Sequence, residues 1–140
     1  MTKKYKILGK YIKDVSGETP DIETYIFVKD QISKYQLNID ITSKPLKNKM
    51  IEIETLLKFA DKEESKKKSH FEINFATIIK IDDEIKEKKE LEKIILCDVQ
   101  IEIYPDLEKS LLDLLHNSGY PSIKFEKKIN FEELYNQRLN

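Results

Sequence analysis

Arginine is nearly absent from this chain: of its 25 basic residues only Arg138 is one. The planar guanidinium fork that grips phosphates and guanine edges in two places at once is therefore all but missing. With 26 acidic residues against those 25 bases, the formal net charge is only -1. Both facts argue against a nucleic-acid partner. Glycine is scarce as well, and Gly9, Gly17 and Gly119 lie too far apart to form either common phosphate-binding loop, which argues against nucleotide use. The single cysteine, Cys97, excludes an internal disulfide and a cysteine-based metal site. No stretch approaches the ~20 consecutive apolar residues of a membrane span, and the N-terminus lacks the apolar run of a secretory signal. The expectation is a cytoplasmic protein with no membrane insertion.

At 140 residues the chain has the length of one domain, residues 1–140, with room for one core and not two. Hydrophobic residues make up 39% and charged residues 36%, so the core is modest and association between subunits is a natural way to bury more surface. Up to about residue 82 the pattern is that of strands. Tyr5, Ile7 and Tyr11, then Leu37, Ile39 and Ile41, then Ile51, Ile53 and Thr55, then Phe71, Ile73 and Phe75 recur at even spacing. Asp40, Glu52, Glu54, Glu72 and Asn74 alternate with them, which predicts an antiparallel sheet with one wetter face. Lys44–Asn48 reads as a short turn and Asp61–Ser69 as a charged hairpin tip. A four-stranded meander is the coarse expectation, with the long Ser16–Ser33 connection leaving the strand order open.

From about residue 83 the period is helical. Glu84 and Lys88 stand four apart, as a helical ion pair would, ahead of Ile94, Ile95, Leu96 and Val99. Pro105 then predicts a kinked helix or two helices, because proline removes a backbone donor and crowds the preceding turn. Leu107, Leu111, Leu114 and Leu115 form an apolar stripe that Gly119 should terminate. Asn130, with Glu133 three residues on, reads as the cap of a last helix carrying Phe131, Leu134, Tyr135 and Leu139.

The segments at Tyr11–Pro20 (YIKDVSGETP) and Gly119–Tyr135 (GYPSIKFEKKINFEELY) keep the order and spacing of the two ends of the SecB protein-export chaperone family, which the chain resembles over nearly its whole length. That family opens with an aromatic strand leading into Lys, Asp, an aliphatic, Ser and then Glu before Pro. It closes with a Gly, aromatic, Pro turn and an Asn-Phe that starts a short helix. The chain departs from the family in having no tryptophan after Phe27–Asp30, Thr77 where glycine is usual, and Asp106, Leu107 and Glu108 after Pro105. It also lacks the acidic tail of many relatives.

The resemblance implies an α+β fold, a four-stranded antiparallel sheet followed by C-terminal helices packed on one side, assembled as a homotetramer, a dimer of dimers. It implies an ATP-independent holdase that keeps precursor proteins unfolded in the bacterial cytoplasm and delivers them to the SecA motor, with no cofactor and no catalytic residues. Asp14, Glu18 and Glu72 match the acids that contact the zinc-binding C-terminal tail of SecA. Phe27, Phe75, Tyr104 and Tyr120 are the candidates for a client-binding groove, with ordinary core as the alternative for each. Phe71, Ile73 and Phe75 are the candidates for the contact between dimers. Two other functions compete: a SecB-like chaperone for another client such as an antitoxin, and a small metal-dependent enzyme using His70, Glu72 and His116. On the residues alone His116 is a helix-end cation, the pair His70 and Glu72 is short of the three or four ligands a metal needs, and Cys97 is a small buried hydrophobe.

Overall fold

The computed structural model describes residues 4–61, 68–121, 123–125 and 129–138. Strands β1 (Tyr5–Glu18), β2 (Tyr35–Pro45), β3 (Met50–Asp61) and β4 (His70–Ile81) pair antiparallel in one sheet of order β1-β4-β3-β2. Their alternation explains the sheet. On β3, Ile51, Ile53, Thr55, Leu57 and Phe59 are buried, and the register sets Ile53 against Thr77, Leu57 against Ile73 and Phe59 against Phe71. Glu52, Glu54 and Lys58 fall on the opposite face because successive side chains of a strand point to opposite sides.

Only β2, β3 and β4 form the expected meander. β1 instead crosses the sheet to pair with β4, because the connection after it is not a plain loop. Helix α1 (Ile22–Gln31) and a 3-10 turn at Ile32–Lys34 carry the chain from one edge of the sheet to the other. Asp21 caps α1, its Oδ1 accepting from the Thr24 amide at 2.8 Å. Thr24 and Val28 point inward, while Ile22, Ile26 and Phe27 are exposed. β1 also shifts register between Ile7 and Gly9 and again between Ile12 and Asp14. These two bulges re-aim its side chains, so that Lys10 reaches Asp106 on the helical side at 2.8 Å while Lys13 reaches Glu52 and Glu54 on the other.

The β2–β3 turn closes through Met50 N–H donating to Lys47 O, with Asn48 and Lys49 at φ 61° and 62°. Two successive left-handed residues give the turn whose twist matches that of the strands it joins. Lysine is an unusual occupant there. Its carbonyl accepts from the Ile81 amide at 3.0 Å and its ammonium pairs with Asp83 at 2.6 Å, which hold it in place. The centre of the predicted charged hairpin tip, 62–67, lies outside the described residues.

The helical half begins at α2 (Lys88–Lys93), so Glu84 lies in a turn and the expected Glu84–Lys88 helical pair does not exist. A π-turn at Ile94–Asp98 runs on into α3 (Val99–Asn117). Pro105 sits inside α3 without breaking it. Both Pro105 and Ile101, whose carbonyl loses its intrahelical donor, lie on the solvent side, where water can take over that bond. The irregularity falls upstream, and buried Gln100 bridges it to the sheet by donating to Ile95 O at 3.1 Å and accepting from the Thr55 hydroxyl at 3.0 Å.

Ile103, Leu107, Leu111 and Leu115, spaced by four, form the fully buried stripe against the sheet. Gly119 ends the helix at φ 108°. A Cβ there would meet the Tyr25 ring at 2.6 Å, so the glycine is required by its backbone and by its neighbour. Helix α4 (Phe131–Arg138) starts as the sequence predicts, with Asn130 Oδ1 accepting from the Glu133 amide at 3.1 Å. Its Phe131 ring packs edge-on against Tyr104 with centroids 5.5 Å apart. Sheet and helices share the core, and the helices cover one face of the sheet.

Candidate functional site

The uncovered face of the sheet gathers the three predicted acids. In the β1–β4 register Asp14 lies opposite Asn74, Ser16 opposite Glu72 and Glu18 opposite His70. Antiparallel partners share a face, and residues two apart on a strand are neighbours on it. Asp14 and Glu18 therefore flank Glu72 diagonally. Both are exposed and neither has an ion pair among the described residues.

Glu72 is different. It is half-buried, and its Oε1 lies 3.4 Å from Lys58 Nζ and 3.5 Å from His70 Nε2. Further along the same face, Lys13 pairs with Glu52 at 3.0 Å and Glu54 at 2.6 Å. The hydrogen bond from Lys13 holds the Glu54 carboxyl below the usual carboxylate range, and Asn74 contributes from 3.4 Å. The acids carry the motif, but the counter-ions Lys13, Lys58 and His70 decide which of them are free. The signal for Lys58 was available: it is an even-numbered residue of the strand that carries Glu52 and Glu54.

The predicted apolar sites separate sharply. Phe27 is 40% exposed, whereas Phe75, Tyr104 and Tyr120 are 6%, 7% and 3% exposed and belong to the core. Tyr120 packs against Tyr25 in a tilted pair at 5.6 Å and meets Phe71 edge-on at 5.9 Å. Burial pushes the Tyr104 hydroxyl up to about 12, with the Glu108 carboxylate adding to the shift. The three residues expected at the contact between dimers, Phe71, Ile73 and Phe75, lie under the chain's own helices and offer no free surface. The odd-numbered face of β4 is consumed within the subunit.

Exposed apolar surface lies elsewhere. On β1, an edge strand, Leu8, Tyr11, Ile12 and Val15 are each 44–47% exposed. On α1 the surface is Ile22, Ile26 and Phe27. A shallow cleft of about 360 Å³ opens beside the other edge strand, lined by Ile39, Ile41, Leu96, Phe131, Leu134 and Tyr135. Nothing in the sequence marked β1 as the exposed strand, because its apolar spacing is no different from that of the buried ones.

No metal centre forms among the described residues, where no group of three or more potential ligands converges. His70 and Glu72 are adjacent on the open face, but His116 sits at the end of α3, 3.2 Å from Ile123 O, so the trio required by the enzyme alternative is not brought together. Cys97 is fully buried in the π-turn, and burial pushes its thiol up. No described helix is long and apolar enough to cross a membrane.

The family model described as preprotein translocase subunit SecB matches residues 1–140. A putative protein-export protein SecB of Pelagibacter ubique is 62% identical over 140 residues, covering 100% of both chains. A protein-export protein SecB of Parvibaculum lavamentivorans is 24% identical, covering 95% of this chain and 77% of its own. Among solved structures, the SecB-like chaperone of Mycobacterium tuberculosis in complex with a ChAD peptide from the HigA1 antitoxin superposes with a TM-score of 0.65, covering 89% of this chain and 91% of that one at 11% identity. At that identity the likeness speaks for the fold alone. The end motifs, a family model over every residue and a full-length relative converge, and the chain belongs to the SecB family of chaperones.

Proposed function

We propose that this SecB-type chaperone is an ATP-independent holdase that keeps precursor proteins unfolded in the cytoplasm and passes them to SecA through the zinc-binding C-terminal tail of the motor. The observation that carries the reading is the separation of two surfaces. Asp14, Glu18 and Glu72 share the open face of the sheet, while the exposed apolar groups lie on β1, on α1 and in the cleft beside β2. A charged face attracts a basic peptide over distance, and apolar grooves hold unfolded chain without regard to sequence. One molecule can then hold and deliver at once.

The client surface is Phe27 with Ile22 and Ile26, together with the cleft beside β2; Phe75, Tyr104 and Tyr120 support it from the core. Assembly as a dimer of dimers runs through the exposed apolar groups of β1 rather than through Phe71, Ile73 and Phe75. An edge strand that is apolar toward both faces is half of a sheet awaiting its continuation. The motor partner is favoured over an antitoxin client because the Pelagibacter relative is named for protein export.

The test is suppression of aggregation of an unrelated unfolded polypeptide without nucleotide, measured beside binding of the SecA tail. Calorimetry should give a negative heat-capacity change with unfolded client and no binding to the same client refolded. Equal affinity for both forms removes the holdase reading.

A further inference from the structure

Glu72 is the innermost of the three acids and the one its own chain already occupies. Lys58 is its Cα partner across β3 and β4, so the sheet register keeps their side chains on neighbouring positions of one face. His70, two residues away on β4, approaches the same oxygen, Oε1. The pair is asymmetric. The Lys58 side chain is 51% exposed and that of Glu72 is 23%, so the lysine can swing into water on its long stem while the carboxylate stays in place. Asp14 and Glu18 carry no such counter-ion among the described residues.

We propose that Lys58 is a built-in competitor for Glu72 that a basic partner must displace, which makes Lys58 an affinity- and specificity-determining residue of the docking face. The inference rests on the reading of this face as the SecA-docking surface. A single cation gains little by replacing Lys58, because one ion pair is exchanged for another of the same kind. A peptide with several closely spaced cations gains more: one takes the place of Lys58 on Glu72 while the others meet Asp14 and Glu18. The face therefore selects for clustered positive charge over an isolated lysine. Groups facing His70 are Glu72 on its own strand, Glu18 opposite on β1 and Lys58 diagonally on β3.

The experiment titrates the full-length protein with a synthetic zinc-loaded SecA tail peptide at low and high salt. Lys58→Ala should bind about three- to fivefold more tightly at low salt, the size expected when one exposed ion pair no longer has to be broken. Most of that gain should vanish at high salt, and Lys58→Arg should behave as the parent. Lys80→Ala is the control for net charge. It lies on the same face of β4, eight residues and therefore about 26 Å from Glu72, too far to pair with it, and should change binding by less than half as much. Equal gains for Lys58→Ala and Lys80→Ala, or no gain for either, overturn the competitor. Failure of the parent to bind the tail under any condition overturns the docking reading itself.

Discussion

The two faces of the sheet are built from the same strands and obey different rules. Beneath the helices, Ile53, Leu57, Ile73 and Ile79 are at most 1% exposed, and even the polar Thr55 is buried with Gln100 as its partner. One residue along each strand, on the open face, stand Glu52, Glu54, Lys58 and Glu72, joined by lysines that cross from strand to strand. Packing holds the covered face, where a lost methyl leaves a void. Exchangeable ion pairs hold the open face, where water can replace any partner. The difference leaves the charges of the open face free to change without endangering the fold.

The contrast breaks most decisively if a core residue can be removed at no cost. Leu107→Ala, in the middle of the buried stripe of α3, should destabilise the subunit by about 2–5 kcal/mol in urea unfolding, since it loses both transfer energy and packing around the cavity. Next in size is Gly119→Ala, which should cost about 1–3 kcal/mol because it places a side chain at φ 108° and against Tyr25. The same thermal or urea measurement checks it, and a neutral result would mean that α1 does not dock on the end of α3. Val15→Lys on the exposed edge of β1 should weaken assembly about tenfold while leaving the circular dichroism spectrum of the subunit intact, with the mass followed by light scattering at falling concentration. An unchanged mass would move the assembly surface away from β1. The smallest effect belongs to the open face. Glu72→Gln should shift the melting temperature by no more than about 3 °C, because exposed ion pairs contribute little. A larger drop would make Glu72 a structural residue.

The strands were legible because alternation with period two needs only sequence, and Leu107, Leu111 and Leu115 announced the helix that covers them. The cap at Asn130 and the stop at Gly119 could likewise be read from local chemistry alone. Helix α1 could not, since Ile22, Ile26 and Phe27 face solvent while Val28 faces the core, which leaves no apolar stripe to detect. Missing α1 also hid the strand order, because α1 is what carries the chain past β4. The acids of the proposed docking face were singled out only through the family motif. That, among the described residues, Glu72 has an ion pair while Asp14 and Glu18 have none depends on the registers of β4 with β1 and β3, which alternation alone does not fix. For Phe75, Tyr104 and Tyr120 the sequence leaves groove and core both open, because residue type is the same for an aromatic anchor in a groove and one in a core.

The most direct test of the division of labour between surfaces is a titration of Glu72→Lys with the zinc-loaded SecA tail, run beside light scattering and suppression of client aggregation. The account predicts that reversing this charge weakens tail binding at least tenfold at low salt, since it repels the basic tail as well as removing a contact, while the mass of the assembly and its protection of unfolded client stay as they were. Normal tail binding by Glu72→Lys at low salt, or collapse of the assembly, would contradict it and leave the open face without its assigned role.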